Sequence, residues 1–471
     1  MTNEQKRKRS LFWTLVVVFV VAPLLMCGGL ATWWMGRSAV ARKELDRRIA
    51  QLQSDGLPVD DASLATYYDQ LADSENAAAW IELITYFESD AFTSRIQTFP
   101  IIGMGDDPPA PDVQWRDEEA VVALLNDLKP KIEQLQSLTA TSRTVRFPRQ
   151  FESFNTLLPH VQSMRQLSRL MMLEHVIALR EGDAQRDFRA IQSMLGLSTI
   201  MRDDPILISQ FLRLALHGVG VDALHETLRY GDLNARQLQS ISDQLATFED
   251  VYTPLRQAIN GERALALSLI QNPGQHPDLL PNSGQVLRTL SSRPIDALFY
   301  LDQLDDYAKF RTTSLDAFFA DTQQWEEDFQ HQIQTESALE GFDHILTKLT
   351  FPAFTAFSFA HVRHAMLNRL AIVAVAIEQF KQRTGGFPSD LDAIESSSLR
   401  LDDLKPIGSD RFGYRLTERG AVLWAYDFDG AINDPEKLQV PINPPPTEGE
   451  VNAQNRIWVW RFDESKETSE N

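Results

Sequence analysis

The sequence predicts a mostly α-helical protein with an N-terminal transmembrane helix, a multi-helical body and a small α+β module in its C-terminal part. Three observations support this prediction. A long uncharged apolar run lies near the N-terminus. In the middle of the chain, apolar residues recur at helical spacing between turn residues. Towards the C-terminus, one long helical pattern is followed by short alternating apolar segments that are typical of strands.

Composition and charge exclude several classes of protein. The 471 residues carry a formal net charge of −20, from 45 Lys+Arg against 65 Asp+Glu. Such acidity opposes binding to a phosphate backbone, so we expect no nucleic-acid partner. A hydrophobic content of 43% is too high for a disordered acidic chain. Because Cys27 is the only cysteine, a disulfide framework and a cysteine-based zinc site are also excluded.

Residues 10–36 form the predicted transmembrane helix. They carry no charge, and aromatic pairs stand near both ends, Phe12-Trp13 and Trp33-Trp34. At about 1.5 Å per residue, a helix of this length reaches about 40 Å, more than the roughly 30 Å hydrocarbon layer. Met26 before Cys27 is unsuited to a lipoprotein cleavage site, so we expect an uncleaved signal-anchor.

The orientation of this span depends on its basic flanks, which nearly balance. Four basic residues lie within 6–9 and five within 37–48. The upstream four are contiguous, so we expect residues 1–9 to be a cytoplasmic tail. The chain is then predicted to be a single-pass protein of the inner (cytoplasmic) membrane, with its body in the periplasm.

The body divides into two predicted regions. Residues 37–115 form a juxtamembrane helical region, and residues 116–350 form a helical domain. In the first region, a charged helix is predicted over 38–54, and Asp55-Gly56-Leu57-Pro58 ends it. Two further helices are predicted over 62–73 and 76–95, followed by a loop over 98–115. Helices of the second region are predicted over 117–138, 157–181, 184–202, 206–230, 234–248 and 252–271, before a surface loop over 271–296.

One short pattern repeats within the helical domain. Leu179–Asp183 recurs 49 residues later as Leu228–Asp232. In each copy the glycine suits the end of a helix and the aspartate suits the cap of the next helix, which indicates a helical hairpin used twice. Two copies leave both a helical-repeat array and an irregular bundle open. Gly218 and Gly220 lie inside a helical pattern, where we expect them to permit close helix packing.

The C-terminal part is predicted to begin with core aromatic residues over 350–360 and a long helix over 359–383. Thr384-Gly385-Gly386 ends this helix, and Ser389 or Asp390 suits the cap of a short helix through Ile394. Strands are predicted over 414–416 and 421–427, joined as a hairpin, and over 456–462.

This order of elements resembles the globular head of type II secretion major pseudopilins. The resemblance covers about residues 360–434 and implies a pseudopilin-like α+β module over 359–471. Arg411 stands where those proteins have a proline, and residues 1–35 lack the glutamate of a prepilin processing site, so we do not expect polymerisation. The matching residues are Glu378, Phe380, Gly385, Gly386, Phe387, Pro388, Leu391, Asp410, Phe412, Gly413, Tyr414, Asp427, Asp429, Gly430, Asn433 and Asp434. The whole chain is similar to bacterial membrane-anchored proteins with a helical middle and such a tail, a family without an assigned activity.

The last of these motifs is a candidate calcium site. Asp427, Asp429, Asn433 and Asp434 supply the oxygen ligands that Ca²⁺ prefers, on one turn. The pseudopilin heads that this region resembles can bind calcium in their final loop. The alternative is a turn in which Asp and Asn side chains satisfy backbone amides. Beyond this candidate calcium ion, we predict no cofactor.

A second pattern with metal-binding residue types is weaker. His361 and His364 share one face of the long helix, with His344 the nearest further histidine in sequence. A zinc site needs a third or fourth ligand and a supporting shell, so we interpret these histidines as ordinary buried or surface residues.

These observations predict a membrane-anchored scaffold or interaction protein, beside a secretion or envelope assembly, with unidentified protein partners. Phosphate-binding loops, dinucleotide-binding glycine patterns and nucleophile turns do not occur in the sequence. An active site can still assemble from distant positions. Two alternatives therefore stay open: an enzyme with its site between helical body and tail, and a calcium-dependent binding module.

Overall fold

The structure is a computed structural model, and it describes most of the helical body together with parts of the C-terminal module. The described residues are 22–71, 74–249, 252–271, 294–310, 314–336, 344–395, 399–407, 411–417, 420–426 and 457–462.

Helices dominate this part of the chain, as predicted. The α-helices are α1 (Ala22–Ser54), α2 (Asp61–Asp69), α3 (Ala78–Phe87), α4 (Asp90–Ile96), α5 (Glu118–Thr141), α6 (Pro159–Glu181), α7 (Ala184–Ile200), α8 (Leu207–Tyr230), α9 (Ala235–Ala246), α10 (Tyr252–Gln271), α11 (Pro294–Tyr307), α12 (Leu315–Thr335) and α13 (Ile345–Thr384). Short 3₁₀ helices cover Thr247–Glu249, Leu391–Ile394 and Leu401–Leu404.

Five strands form two small sheets in the described residues. In the body, β1 (Ser74–Asn76) pairs in parallel with β2 (Thr144–Arg146). In the C-terminal module, β3 (Gly413–Leu416), β4 (Ala421–Tyr426) and β5 (Ile457–Phe462) form an antiparallel sheet in that order. Tyr414 pairs with Leu423, and Leu423 pairs with Trp460. The predicted hairpin and third strand are confirmed.

The N-terminal half of the predicted membrane span, residues 10–21, lies outside the described residues. From Ala22 to Ser54 the chain is one helix, so the charged helix predicted over 38–54 is confirmed. Its C-terminal half packs against α11, where Arg48 Nη1 lies 2.7 Å from Asp302 Oδ1. Among the described residues, one helix, α8, is long and apolar enough to cross a bilayer, but 72% of its most apolar window is buried inside the body. We therefore interpret α8 as a core helix.

Three predicted helix boundaries are wrong. The helix predicted over 62–73 ends at Asp69, before β1. The helix predicted over 76–95 breaks into α3 and α4, because the Ser89 side chain accepts a hydrogen bond from Phe92 N and so begins a new helix. The long C-terminal helix begins at Ile345 rather than 359, and it includes the aromatic segment.

The repeated pattern lies at two helix-to-helix connections, α6/α7 and α8/α9, and of these two pairs α6 and α7 pack extensively against each other. The first copy behaves as predicted: Gly182 is left-handed with φ 69°, and the Asp183 side chain accepts from Arg186 N. The second copy does not, because Gly231 is extended and the cap of α9 is Asn234. Asn234 and Gln237 form a reciprocal capping box, which serves the same purpose two residues later.

Alternate helices of this part of the body lie side by side. α6, α8 and α13 pack along one layer, and α5, α7 and α9 along the other. The close approach predicted at the α8 glycines is confirmed: a Cβ on Gly220 would lie 2.7 Å from Leu195 Cδ2, and one on Gly218 would lie 2.9 Å from His364 Cε1. This layered packing is compatible with both predicted arrangements, a helical-repeat array and an irregular bundle, and it leaves the α5/α7/α9 layer facing outward.

Aromatic residues of α13 are packed in the core, as predicted, but they lie within the helical body, against α8, α11 and α12, rather than between the body and the C-terminal module. Phe351, Phe354 and Phe357 are buried, and Phe351 contacts Tyr300 and Trp325. The helix ends at Gly385, which is left-handed with φ 82°. The predicted cap by Asp390 is confirmed, since its side chain accepts from Ala393 N.

Candidate functional site

The four predicted calcium ligands, Asp427, Asp429, Asn433 and Asp434, lie outside the described residues. The described segment that precedes them ends at Tyr426, the last residue of β4. Within the described residues, no group of three or more His, Cys, Asp or Glu side chains has the arrangement of a metal site. The calcium site therefore stays a prediction.

The paired histidines of α13 are packed in the core. His361 is fully buried, with its ring beside Phe318 and Phe357. Burial, together with the nearby Arg213 and His364, lowers its pKa to about 3. His344 is elsewhere, stacked on Phe299 and hydrogen-bonded to Glu336 at 2.5 Å. The neutral, buried ring of His361 therefore fills space between α12 and α13.

The outward layer of helices carries a continuous groove. Two neighbouring hollows of about 530 and 360 Å³ lie along α5 and α7, and the larger extends to α9. They share four lining residues, so they form one channel rather than two sites: Glu133, Gln136, Gln185 and Arg189. We call this the α5/α7/α9 groove.

The floor of this groove is held by polar contacts between the helices. Thr139 Oγ1 lies 3.2 Å from Ser193 Oγ, linking α5 to α7. Gln192 Nε2 donates to Ser240 Oγ at 2.8 Å, and Gln244 Nε2 donates to Gln192 O at 3.0 Å, linking α7 to α9. Gln244 Oε1 is buried and has no hydrogen-bond partner in the described part of the chain. These contacts fix the groove as a preformed feature of the helical packing.

Side-chain amides are the most frequent polar groups in the groove. Five of them line it: Asn126, Gln136, Gln185, Gln192 and Gln244. The side chains of Asn126 and Gln136 form no hydrogen bond within the described residues. An amide offers one acceptor and two donors, so these two groups are available to a ligand.

The groove is electrically balanced, in contrast to the acidic chain around it. Its three basic residues are Lys129, Arg186 and Arg189, and its three acidic residues are Glu133, Glu174 and Asp183. The chain as a whole has a net charge of −20. The groove therefore does not select a strongly charged partner by its net charge.

A buried ionic cluster joins α6, α7 and α8 behind one end of this layer. His175 Nδ1 lies 2.6 Å from Asp187 Oδ1, and His175 Nε2 lies 3.2 Å from Glu226 Oε2. Thr227 Oγ1 donates to Asp187 Oδ2 at 2.8 Å. Burial lowers the pKa of His175, but the hydrogen bonds to both carboxylates outweigh it and raise the pKa to about 9. The imidazole is therefore a cation at neutral pH and clamps three helices together.

A second buried cluster centres on Asp204, just before α8. Arg149 donates to both Asp204 carboxylate oxygens and to the Tyr68 hydroxyl, the last at 2.8 Å. His160 Nε2 is 3.3 Å from Asp204, and its ring stacks on Phe147. Burial raises the pKa of Asp204, but Arg149 and His160 outweigh that effect and keep the pKa below its ordinary value. All four polar side chains are buried, so the cluster is structural.

A cleft lies where the alternative prediction, an enzyme with its site between helical body and tail, would require one. About 540 Å³ lies between α9, α13 and the 3₁₀ helices near 391–404. Its floor is apolar, for example Ile372 and Leu404, and ionisable groups stand around it. These are Asp243, Glu249, Arg383, Arg400 and Asp403. In the described residues no hydrogen bond joins two of these five groups, so they form no nucleophile–base or acid–base pair.

Sequence analysis did not predict the groove or either ionic cluster. Each combines residues from three or more elements that are distant in sequence. The only local signal was the turn pattern at Gly182 and Asp183, which places the first turn of α7 and hence Asp187.

Fold and groove together define a mainly helical protein with two packed layers of helices and an open polar channel along one of them. Comparison with protein-family models, with curated proteins and with solved structures finds no match.

Proposed function

We propose that this chain is a membrane-anchored interaction protein that binds a protein partner in the α5/α7/α9 groove. The observation that carries the proposal is the groove itself, a preformed channel of balanced charge on the exposed face of stacked helices. Grooves of this kind are typical of helical-repeat proteins, whose stacked helices create extended binding surfaces. The uncharged apolar run over 10–36 supports the membrane anchor. The sequence of elements after α13, a short helix followed by a hairpin and a third strand, supports an association with a secretion or envelope assembly.

Site-specific photocross-linking in the membranes of the native host tests the docking surface. A cross-linking amino acid is placed at Glu133 or Gln185, which are exposed on the rim of the groove, and at Gln324, which is exposed on α12. We expect one defined adduct from both groove positions and none from Gln324. An equal pattern from all three positions, or no adduct from any of them, contradicts the proposal.

Anchor and orientation are tested separately with reporters. Alkaline phosphatase fused after Asn471 is active only outside the cytoplasm, whereas a cytoplasm-restricted fluorescent reporter is active only inside. We expect active phosphatase in the membrane fraction. Loss of phosphatase activity when residues 10–36 are deleted would show that export depends on the predicted span. A fluorescent cytoplasmic fusion contradicts the orientation.

An enzyme acting in the body–tail cleft is the second candidate, favoured by the five ionisable groups around an apolar floor. The docking proposal is preferred because those groups are not joined into a pair that could move a proton. A screen of the full chain against peptide, glycan and ester substrates tests the alternative. Any activity that Asp403→Asn abolishes and Asp316→Asn, on α12, leaves intact favours the enzyme.

The calcium-dependent binding module stays a prediction from residues 427–434. Titration of Ca²⁺ into the full chain tests it by the change in melting temperature. A rise that Asp427→Asn and Asp429→Asn remove supports the site, and an unchanged melting temperature contradicts it.

A further inference from the structure

We infer that the α5/α7/α9 groove recognises an extended polypeptide segment of another protein through the main chain of that segment. This inference rests on the proposed function and names the class of ligand. Its basis is the match between the chemistry of the groove and the chemistry of a peptide bond.

The first step concerns hydrogen-bonding groups. A side-chain amide carries the same pair of groups as a peptide unit, a carbonyl acceptor and an N–H donor. Asn126 and Gln136 have both groups unused within the described residues, and Gln244 Oε1 is a buried acceptor without a donor there. An extended chain presents alternating N–H and C=O groups, so it can satisfy several of these amides at once.

The second step concerns length. Along α5 the groove runs from Leu125 to Ala140. At 1.5 Å per helical residue this is about 22 Å, the length of about seven residues of extended chain at 3.3 Å each. If the bound segment were a helix, its backbone N–H and C=O groups would be hydrogen-bonded to each other, and they could not bond to the side-chain amides of the groove. An extended segment is therefore the better occupant.

The third step concerns charge. Three basic and three acidic side chains line the groove, so a segment of either sign gains little from net attraction. The whole chain carries 65 acidic against 45 basic residues, and this excess of negative charge disfavours the approach of an acidic segment. The segment that fits is therefore uncharged or of mixed charge.

A defined peptide probe tests the inference. A phage-displayed library of random heptapeptides is selected on the full chain in detergent, and the selected peptide is synthesised with fluorescein. We expect N-methylation of alternate backbone nitrogens to weaken binding about tenfold or more, because it removes main-chain donors. Replacing the peptide's side chains one at a time with alanine is expected to have a smaller effect.

Two variants test whether the peptide binds in the groove. Asn126→Leu and Gln136→Leu remove amides that support nothing else in the described fold, so we expect unchanged melting and about tenfold weaker binding for the pair. Gln324→Leu, on α12, is the matched control and should bind as the original chain does. Tolerance of N-methylation, or equal binding by the groove variants, overturns the inference.

The failure of this inference can be distinguished from failure of the proposed function. If no heptapeptide is selected while Glu133 and Gln185 still cross-link a partner, main-chain recognition is wrong and the docking function stands. If cross-linking is also absent, the docking function is wrong as well.

Discussion

The imidazole of His175 lies between two carboxylates, 2.6 Å from Asp187 and 3.2 Å from Glu226, at the point where three helices meet. The ring is fully buried, and its pKa is raised to about 9. Since α6, α7 and α8 supply one partner each, we expect proton loss from this histidine to weaken the packing of these three helices.

We predict that stability declines as pH rises through this pKa. An ordinary histidine has a pKa near 6.5, so the folded state binds the proton more tightly than the unfolded state. The stabilisation is complete below pH 6.5 and is lost as pH rises from 6.5 through about 9. Its full size is on the order of 3 kcal/mol, since the pKa rises from 6.5 to about 9 and each tenfold change in proton affinity is worth about 1.4 kcal/mol. Thermal melting of His175→Gln should be lower than that of the original chain at pH 6 and should converge with it near pH 9.5.

His331→Gln is the control for this experiment, because His331 is exposed on α12. It should melt as the original chain does at every pH. A constant difference between His175→Gln and the original chain from pH 6 to 9.5 means that the imidazole acts by packing alone, contrary to the prediction.

Breaking the Asp204 cluster by removing one partner should destabilise the fold strongly. In Asp204→Asn, the buried Arg149 guanidinium loses its counter-charge, and such losses cost about 3–5 kcal/mol. The double variant Arg149→Met, Asp204→Leu removes both charges and should recover part of that loss. Melting temperatures of the two variants test this; a double variant less stable than Asp204→Asn contradicts the explanation.

Local patterns predicted the elements that depend on neighbouring residues. Apolar spacing located the helices from α5 to α10, and the Asp390 cap and the β3–β4 hairpin follow from short-range turn chemistry. The break at Ser89 was missed because the apolar pattern continues through it, while the Ser89 side chain decides the boundary. The early start of α13 was missed because the aromatic residues over 350–360 were interpreted as a separate packing segment, whereas they belong to the helix, which also contains Pro352.

Contacts between distant segments could not be predicted in the same way. The parallel pairing of Glu75 with Val145 joins segments with no recognisable strand pattern. His175, Asp187 and Glu226 each look like an ordinary polar residue of an amphipathic helix, and only the packing of three helices brings them together. The groove is likewise a property of the spacing between α5, α7 and α9, which the sequence does not encode locally.

Gly261 should be the least replaceable glycine of the body. A Cβ at this position would lie 1.6 Å from the carbonyl oxygen of Pro205, which is backbone and cannot move aside as a side chain can. Gly261→Ala therefore forces α10 away from the segment before α8. We expect a marked fall in melting temperature and a loss of more than about 3 kcal/mol in the free energy of unfolding, at or above the upper end of the range for overpacked cores.

Gly386→Ala is the matched control, since nothing lies within 4 Å of the added methyl group. It should change the melting temperature little. If Gly261→Ala melts with the control, α10 and the Pro205 segment are not in the close contact described.

The carboxyl group of Glu262 should reduce stability above neutral pH. It is buried in α10 and accepts a hydrogen bond from Leu207 N at 2.8 Å, at the beginning of α8. Burial raises its pKa from 4.5 to about 7, although the Leu207 N–H opposes the shift. The folded state therefore binds this proton more tightly than the unfolded state, and stability falls as pH rises from 4.5 through about 7.

Glu262→Gln tests this prediction because it keeps the oxygen that accepts from Leu207 N and cannot ionise. We expect the variant to melt at a higher temperature than the original chain at pH 8, and to lose the advantage at pH 5, where the original carboxyl is protonated. Glu327→Gln, on the exposed face of α12, serves as the control and should change neither value. A Glu262→Gln variant that melts lower at pH 8 would show that the ionised carboxylate stabilises the N-terminus of α8, as a charge beside a helix dipole can.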